Sequence, residues 1–281
     1  MSQARQGLAA AKPPVQSPAV PPETPRSPEP ESTGDWTLSR QSIDPAGFPA
    51  SDVGSQLPSY ISPRALTLLV AGGLIAAALV AWLAVGVHLA HMRQLQLRLA
   101  GTFVDSQELQ RVSVMLRFAQ ITQAAVFGLT ALAFLAWLFR LRVNVRALGM
   151  RKFVFPRQWC VLGFLIPVVN FVRPYQVIKE VWRASDPSVL DPFEWKFVDP
   201  PRLLTLWWGT FVIAATFQLA AFGLAHTAGV AAFKVLVVSG VAVVANLVTG
   251  LSASLAYFLV TRLAAAQAAK FRRLQGDDEG A

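Results

Sequence analysis

Four stretches of this chain, residues 65–90, 118–139, 203–224 and 235–261, are apolar and contain no Asp, Glu, Lys or Arg. Each exceeds the roughly twenty residues that a helix needs to cross the ~30 Å hydrocarbon core of a bilayer. Peptide groups find no water there, so only helices and closed barrels satisfy them. The strict apolar–polar alternation of barrel strands is absent from these runs. The sequence therefore predicts an all-α, polytopic integral membrane helical bundle with four long transmembrane helices. Composition agrees: 15% of the residues are charged, against about a quarter in soluble domains. A single cysteine, Cys160, precludes an intramolecular disulfide, so stability has to come from helix packing.

The chain carries a net charge of +9, but its basic residues flank the apolar runs and form no aromatic-interleaved patches, which argues for membrane lipids as partners and against nucleic acid. Eleven Lys and Arg fall in residues 140–202 and four in 262–273, against four in 91–117 and one, Lys234, in 225–234. By the positive-inside rule both termini and the 140–202 segment face the cytoplasm. Residues 1–64 hold twelve of the nineteen prolines and too little apolar surface to offset ordering entropy, so they read as a disordered cytoplasmic tail. The start lacks the apolar core of a signal peptide. The PxxP matches at Pro18–Pro21 and Pro25–Pro28 leave open a protein partner for this tail, although a plain spacer is the preferred reading. The membrane domain spans 65–262, and 263–281 reads as a charged C-terminal tail. A homo-oligomer is also left open.

Two connections carry patterns of their own. In 91–117, His88, Met92, Leu95 and Leu99 continue a helical spacing that Gly101 ends, and Asp105 with Glu108 reads as a capping box before Leu109, Val112, Leu116 and Ala119. This predicts a helical hairpin projecting from the outer face. The apolar run from Cys160 to Val172 is about thirteen residues, too short for a crossing, and Pro167 breaks its helical ladder. Beyond it, Phe171, Pro174, Tyr175, Ile178, Val181 and Trp182 oppose Arg173, Gln176, Lys179, Glu180 and Arg183 on an amphipathic helix. The expectation is a re-entrant element with an interfacial helix over 160–185, lying along the membrane or against the bundle. A fifth crossing is the rival.

The order Trp137, Arg140, Asn144, Leu148-Gly149, Trp159, Ile166-Pro167, Asn170, Arg173-Pro174-Tyr175-Gln176, Trp182-Arg183 and Trp207-Trp208 resembles the bacterial multi-pass membrane family known as domain of unknown function 4328, over roughly residues 66–261. The resemblance implies a bacterial inner-membrane protein, often with a proline-rich N-terminal tail, and supplies no activity or ligand. Val161-Leu162-Gly163-Phe164 departs from it where a tryptophan-rich stretch is expected.

Ionisable groups at membrane depth mark proton and ion pathways, and the four runs hold no acidic, Lys or Arg side chain. HExxH, GxSxG, Walker and CxxC motifs are absent, so no catalytic residue set, metal or cofactor is expected and a non-enzymatic role follows. His88, His91 and His226 read as headgroup-bonding residues in preference to metal ligands. Gln120, Ala124 and Gly128, Gly72 and Ala76, and Ala242, Asn246, Gly250 and Ser254 read as helix-packing seams. The candidate ligand-binding set is Arg140, Asn144, Asn170, Arg173, Tyr175 and Gln176, expected to gather at the cytoplasmic boundary either to hold an anionic ligand or to tie the re-entrant element to the second helix. The resulting expectation is a membrane scaffold or partner-binding subunit; a carrier or receptor for a small anionic or lipidic ligand is the alternative.

Overall fold

The computed structural model describes residues 59–278 apart from 104, 167 and 228–231. The Pro-rich stretch up to residue 58, and with it the expected disorder and the PxxP matches, lies outside the described residues, as does Pro167. Six α-helices follow one another: α1 (Arg64–Leu99), α2 (Ser106–Ala147), α3 (Trp159–Leu165), α4 (Arg173–Ala184), α5 (Arg202–Thr227) and α6 (Ala232–Asp278). Short 3-10 turns occupy Val169–Phe171 and Glu194–Phe197. The protein is all-α, and α1, α2, α5 and α6 are the four helices long and apolar enough to cross a membrane.

The long helices outrun their apolar runs. At 1.5 Å per residue, α1 with 36 residues is about 54 Å long, well beyond the hydrocarbon thickness. Its extension meets that of α2 in the expected hairpin. Gly101, at φ +76°, supplies the left-handed residue that stops α1, with the Gly101 and Thr102 N–H groups donating back to Arg98 and Leu97. Asp105 then caps α2 by accepting from the Gln107 N–H at 3.0 Å. Glu108 accepts from Gln94 across the hairpin at 3.5 Å, so it links the two helices. Gly149, at φ +83°, stops α2 in the same way.

The spans pack in the order α2, α1, α6, α5. Trp137 donates to Thr67 Oγ1 at 3.0 Å between α2 and α1, His91 and Ser239 approach to 3.4 Å between α1 and α6, and Gln218 donates to Thr249 at 3.5 Å between α5 and α6. Small residues let these helices approach. A Cβ on Gly250 would lie 2.9 Å from the Trp82 ring, and one on Gly73 would lie 2.5 Å from Thr130 Oγ1. The α6 seam is as expected, with Ala242, Asn246 and Gly250 buried. On the other two helices the expected seams are only partly inside: Gly128 and Ala76 are half-buried, and on α1 the close contact falls one position on from Gly72. Gln120, Ala124 and Gly72 are exposed, while Gln123, Thr130 and Gly73 face the bundle. One residue rotates a helix face by about 100°, and seams of small residues ran along both faces, so spacing did not select the inner one.

One end of the bundle carries the hairpin and the other a cap built from α3, α4 and their connections. α3 and the Val169–Ala184 segment meet at a bend of 115°. The chain then comes back beside its own start: a Cβ on Gly163 would lie 3.4 Å from Arg173 Cβ, and the Arg173 guanidinium sits 5.5 Å from the Trp159 ring. Leu165 and Val168 at the turn are 64% and 79% exposed, an apolar tip suited to hydrocarbon. α4 lies against the bundle, with Val177, Ile178, Val181 and Ala184 buried. Tyr60 stacks on Phe271 with ring centroids 4.0 Å apart, so the entry to α1 and the end of α6 meet at this cap. Residues 59–63 thus belong to the bundle and not to the tail. α6 likewise runs on to Asp278, with Leu263, Gln267 and Lys270 fully buried, where a charged tail was expected.

Candidate functional site

The cap end concentrates the buried polar side chains of the protein, and its centre is Asn144. This residue is fully buried on α2. Its Nδ2 donates to the Ile61 carbonyl at 2.8 Å and to Gln267 Oε1 at 3.0 Å, and its Oδ1 accepts from the Ile61 N–H at 3.3 Å. Gln267 Nε2 donates onward to the Leu141 carbonyl at 3.2 Å and to Ser185 Oγ at 3.3 Å. Flipping either amide would oppose donor to donor or acceptor to acceptor, so the two orientations define each other. One turn on, Lys270 donates to the Ala184 carbonyl at 2.9 Å and contacts Met150 Sδ at 3.2 Å. Its ammonium thus sits at the C-terminal end of α4, where the helix dipole favours a cation. Arg273 donates to the Pro187 carbonyl at 3.0 Å just beyond.

A second cluster joins α2 to the 150–160 connection. Arg142 is buried: its guanidinium stacks 3.6 Å from the Phe153 ring centroid and donates to the Phe155 carbonyl at 2.6 Å. Glu180 on α4 accepts from the Val154 and Phe155 N–H groups at 3.0 and 3.4 Å. Burial pushes its carboxyl above the ordinary range, opposed by those two donors and by Arg142. Trp195 pins the same connection by donating to the Arg151 carbonyl at 3.1 Å and stacking on Phe153.

The six candidate ligand-binding residues do not form one site. Asn144 belongs to the first cluster, while Arg140, one turn before it on α2, is half-buried, lines a surface groove and has no hydrogen-bond or ion-pair partner among the described residues. Arg173 donates to Gln176 at 3.1 Å and lies near the Phe155 and Trp159 rings. Tyr175 pairs with Thr205 of α5 at 3.1 Å. Asn170 has a buried Oδ1 without a partner among the described residues. Sequence reasoning missed Gln267, Lys270, Arg142 and Glu180. For the first two a signal existed, since Gln267 and Lys270 stand in an alanine-rich stretch, residues 264–270, that permits close helix approach.

Among the described residues no three His, Cys, Asp or Glu side chains come together as metal ligands. His88 is buried between helices and His91 faces Ser239, so neither has the headgroup position expected of it. His226 Nδ1–H donates within its own helix to the Phe222 carbonyl, 2.8 Å away. Cys160 is fully buried, and burial pushes its thiol up to about 12. A maleimide is therefore expected to leave Cys160 unmodified in the folded protein at pH 7.5 and to label it on denaturation. Rapid native labelling from either side of the membrane would contradict this packing.

No curated protein and no solved structure matches the chain. Residues 100–265 match the family described as Domain of unknown function (DUF4328), a stretch that runs from the α1–α2 turn into α6 and takes in α3, α4 and their connections but leaves out α1 and the end of α6. Because that match covers more than half of the chain and contains the bent α3–α4 element with the Arg142–Glu180 cluster, this helical protein belongs to the DUF4328 family.

Proposed function

We infer that the protein is a non-enzymatic membrane scaffold that presents a rigid cap to a partner at the cytoplasmic face of a bacterial inner membrane. The observation that carries this reading is that four buried polar side chains of the cap, Asn144, Gln267, Lys270 and Glu180, bond to one another or to backbone. Together they tie α2, α4, α6 and the connection before α3 to one another, an arrangement that fixes shape. The excess of Lys and Arg in residues 140–202 and 262–273 supports a cytoplasmic cap, and the Pro-rich N-terminal segment supplies a second partner-binding element. Phe197, 87% exposed on the 3-10 turn before α5, marks the cap surface to probe.

A photo-reactive amino acid at Phe197 or within residues 10–30 is expected to cross-link in cells to one discrete protein, with topology reporters at Met1 and Ala281 in the same compartment. Adducts to lipid alone at both positions, or reporters in different compartments, would refute the reading.

A further inference from the structure

Beside α3, the outer surface of the bundle carries a groove of about 560 Å³, walled by Leu66 of α1, by Leu135, Phe139 and Val143 of α2 and by Val161 of α3, with Arg140 as its one charged residue. The lining is thus apolar with a single cation. Arg140 is the first charge after the apolar run 118–139, so it stands where α2 leaves the hydrocarbon, at the depth of lipid phosphates. It is half-buried and has no carboxylate or carbonyl partner among the described residues, in contrast to Arg142 two positions on, which donates to the Phe155 carbonyl. A partly desolvated guanidinium needs an acceptor, and the planar fork fits a phosphate in two-pronged fashion.

We propose that this groove holds one anionic phospholipid, its phosphate on Arg140 and one acyl chain along Leu135, Phe139 and Leu66. The charge complementarity is with the phosphate and the apolar wall is with the chain, so a lipid answers both halves of the site. Such a lipid would bridge α1, α2 and α3 on the membrane-facing side, where the helices leave a gap. This proposal is independent of the scaffold reading, since a lipid on Arg140 neither requires nor excludes a partner on the cap.

The test is native mass spectrometry of the full chain released from vesicles of equal phosphatidylglycerol and phosphatidylcholine. The wild-type chain is expected to retain one phosphatidylglycerol. Loss of a two-pronged charge-assisted contact should cut that retention about tenfold in Arg140→Gln. Ala136→Trp, which fills the groove without touching the charge, is expected to do the same, while Arg140→Lys, which keeps the charge and loses the fork, falls between wild type and Arg140→Gln, and the control Arg93→Gln keeps most of it. Arg140 has no partner among the described residues, so its variants should unfold at the wild-type temperature. Equal retention of the two lipids by the wild type, or retention by Arg140→Gln equal to that of Arg93→Gln, would overturn the proposal and leave only non-specific boundary lipid.

Discussion

Asn144→Leu is expected to lower the unfolding free energy by about 2–4 kcal/mol, the cost of leaving several buried polar groups without partners. The side chain is fully buried and its loss strands Gln267 Oε1 and both polar groups of Ile61. An amide bond between transmembrane helices is ordinarily worth only about 0.6 kcal/mol, because the unfolded helices find other partners in the membrane. Here the orphaned groups decide the sign and size. They lie inside a packed cap where a leucine of similar volume brings no donor, so the larger value applies. Gln267→Leu should cost a comparable amount, and the double variant should cost less than the sum by about 1 kcal/mol or more, as for residues in one network. Gln120→Leu, which removes an exposed amide from the same helix, should stay within about 0.5 kcal/mol of the wild type. Chemical unfolding in detergent micelles followed by circular dichroism reads all four. Strict additivity of the two buried variants would show that Asn144 and Gln267 are not coupled.

Gly73→Leu is expected to destabilise the α1–α2 pair by about 1–3 kcal/mol through overpacking, and Gly72→Leu to be neutral or stabilising. The two glycines are adjacent, yet the space at them differs completely. A Cβ on Gly73 would lie 2.5 Å from Thr130 Oγ1 and 3.1 Å from Thr130 Cγ2, whereas at Gly72 there is nothing within 4 Å. Replacing a helical glycine with leucine favours the helix by up to about 1 kcal/mol, which is the whole effect at Gly72 and is outweighed at Gly73. Removing the Thr130 hydroxyl and methyl should make room, so Gly73→Ala is expected to be better tolerated with Thr130→Ala than alone. Thermal unfolding of the detergent-solubilised variants checks the order. Equal effects at Gly72 and Gly73 would mean that α1 faces α2 by some other side.

Both expectations turn on which face of a helix is inside, and that is where reading the sequence stopped short. A run without charges announces a span by its length alone, because the bilayer solvates every side of it equally. The faces of α1 and α2 are consequently alike in hydropathy: Gln120 and Gln123, or Gly72 and Gly73, differ only in what another helix places opposite them. Stop signals were legible for a different reason. Gly101 and Gly149 take a left-handed backbone that other residues resist, and Asp105 bonds to an N–H two residues away.

The same division runs through the candidate site. Arg140, Asn144, Arg173 and Gln176 stood out because polar residues near an apolar run need partners, but they do not meet in one place: Asn144 bonds to Ile61 and Gln267, Arg173 to Gln176, and Arg140 to none of the described residues. Gln267 and Lys270 looked like the start of a polar tail because their partners, Asn144 and the end of α4, are more than eighty residues away along the chain. From residue order alone follow the membrane, the number of long helices, the turn between α1 and α2, and the break between α3 and α4, since these rest on local backbone geometry and on transfer of short segments between water and hydrocarbon. Only the tertiary structure decided the order α2, α1, α6, α5, the buried bonds of the cap and the groove at Arg140, because in lipid the apolar surface itself does not choose between neighbours, and the choice falls to close packing and to hydrogen bonds between distant residues.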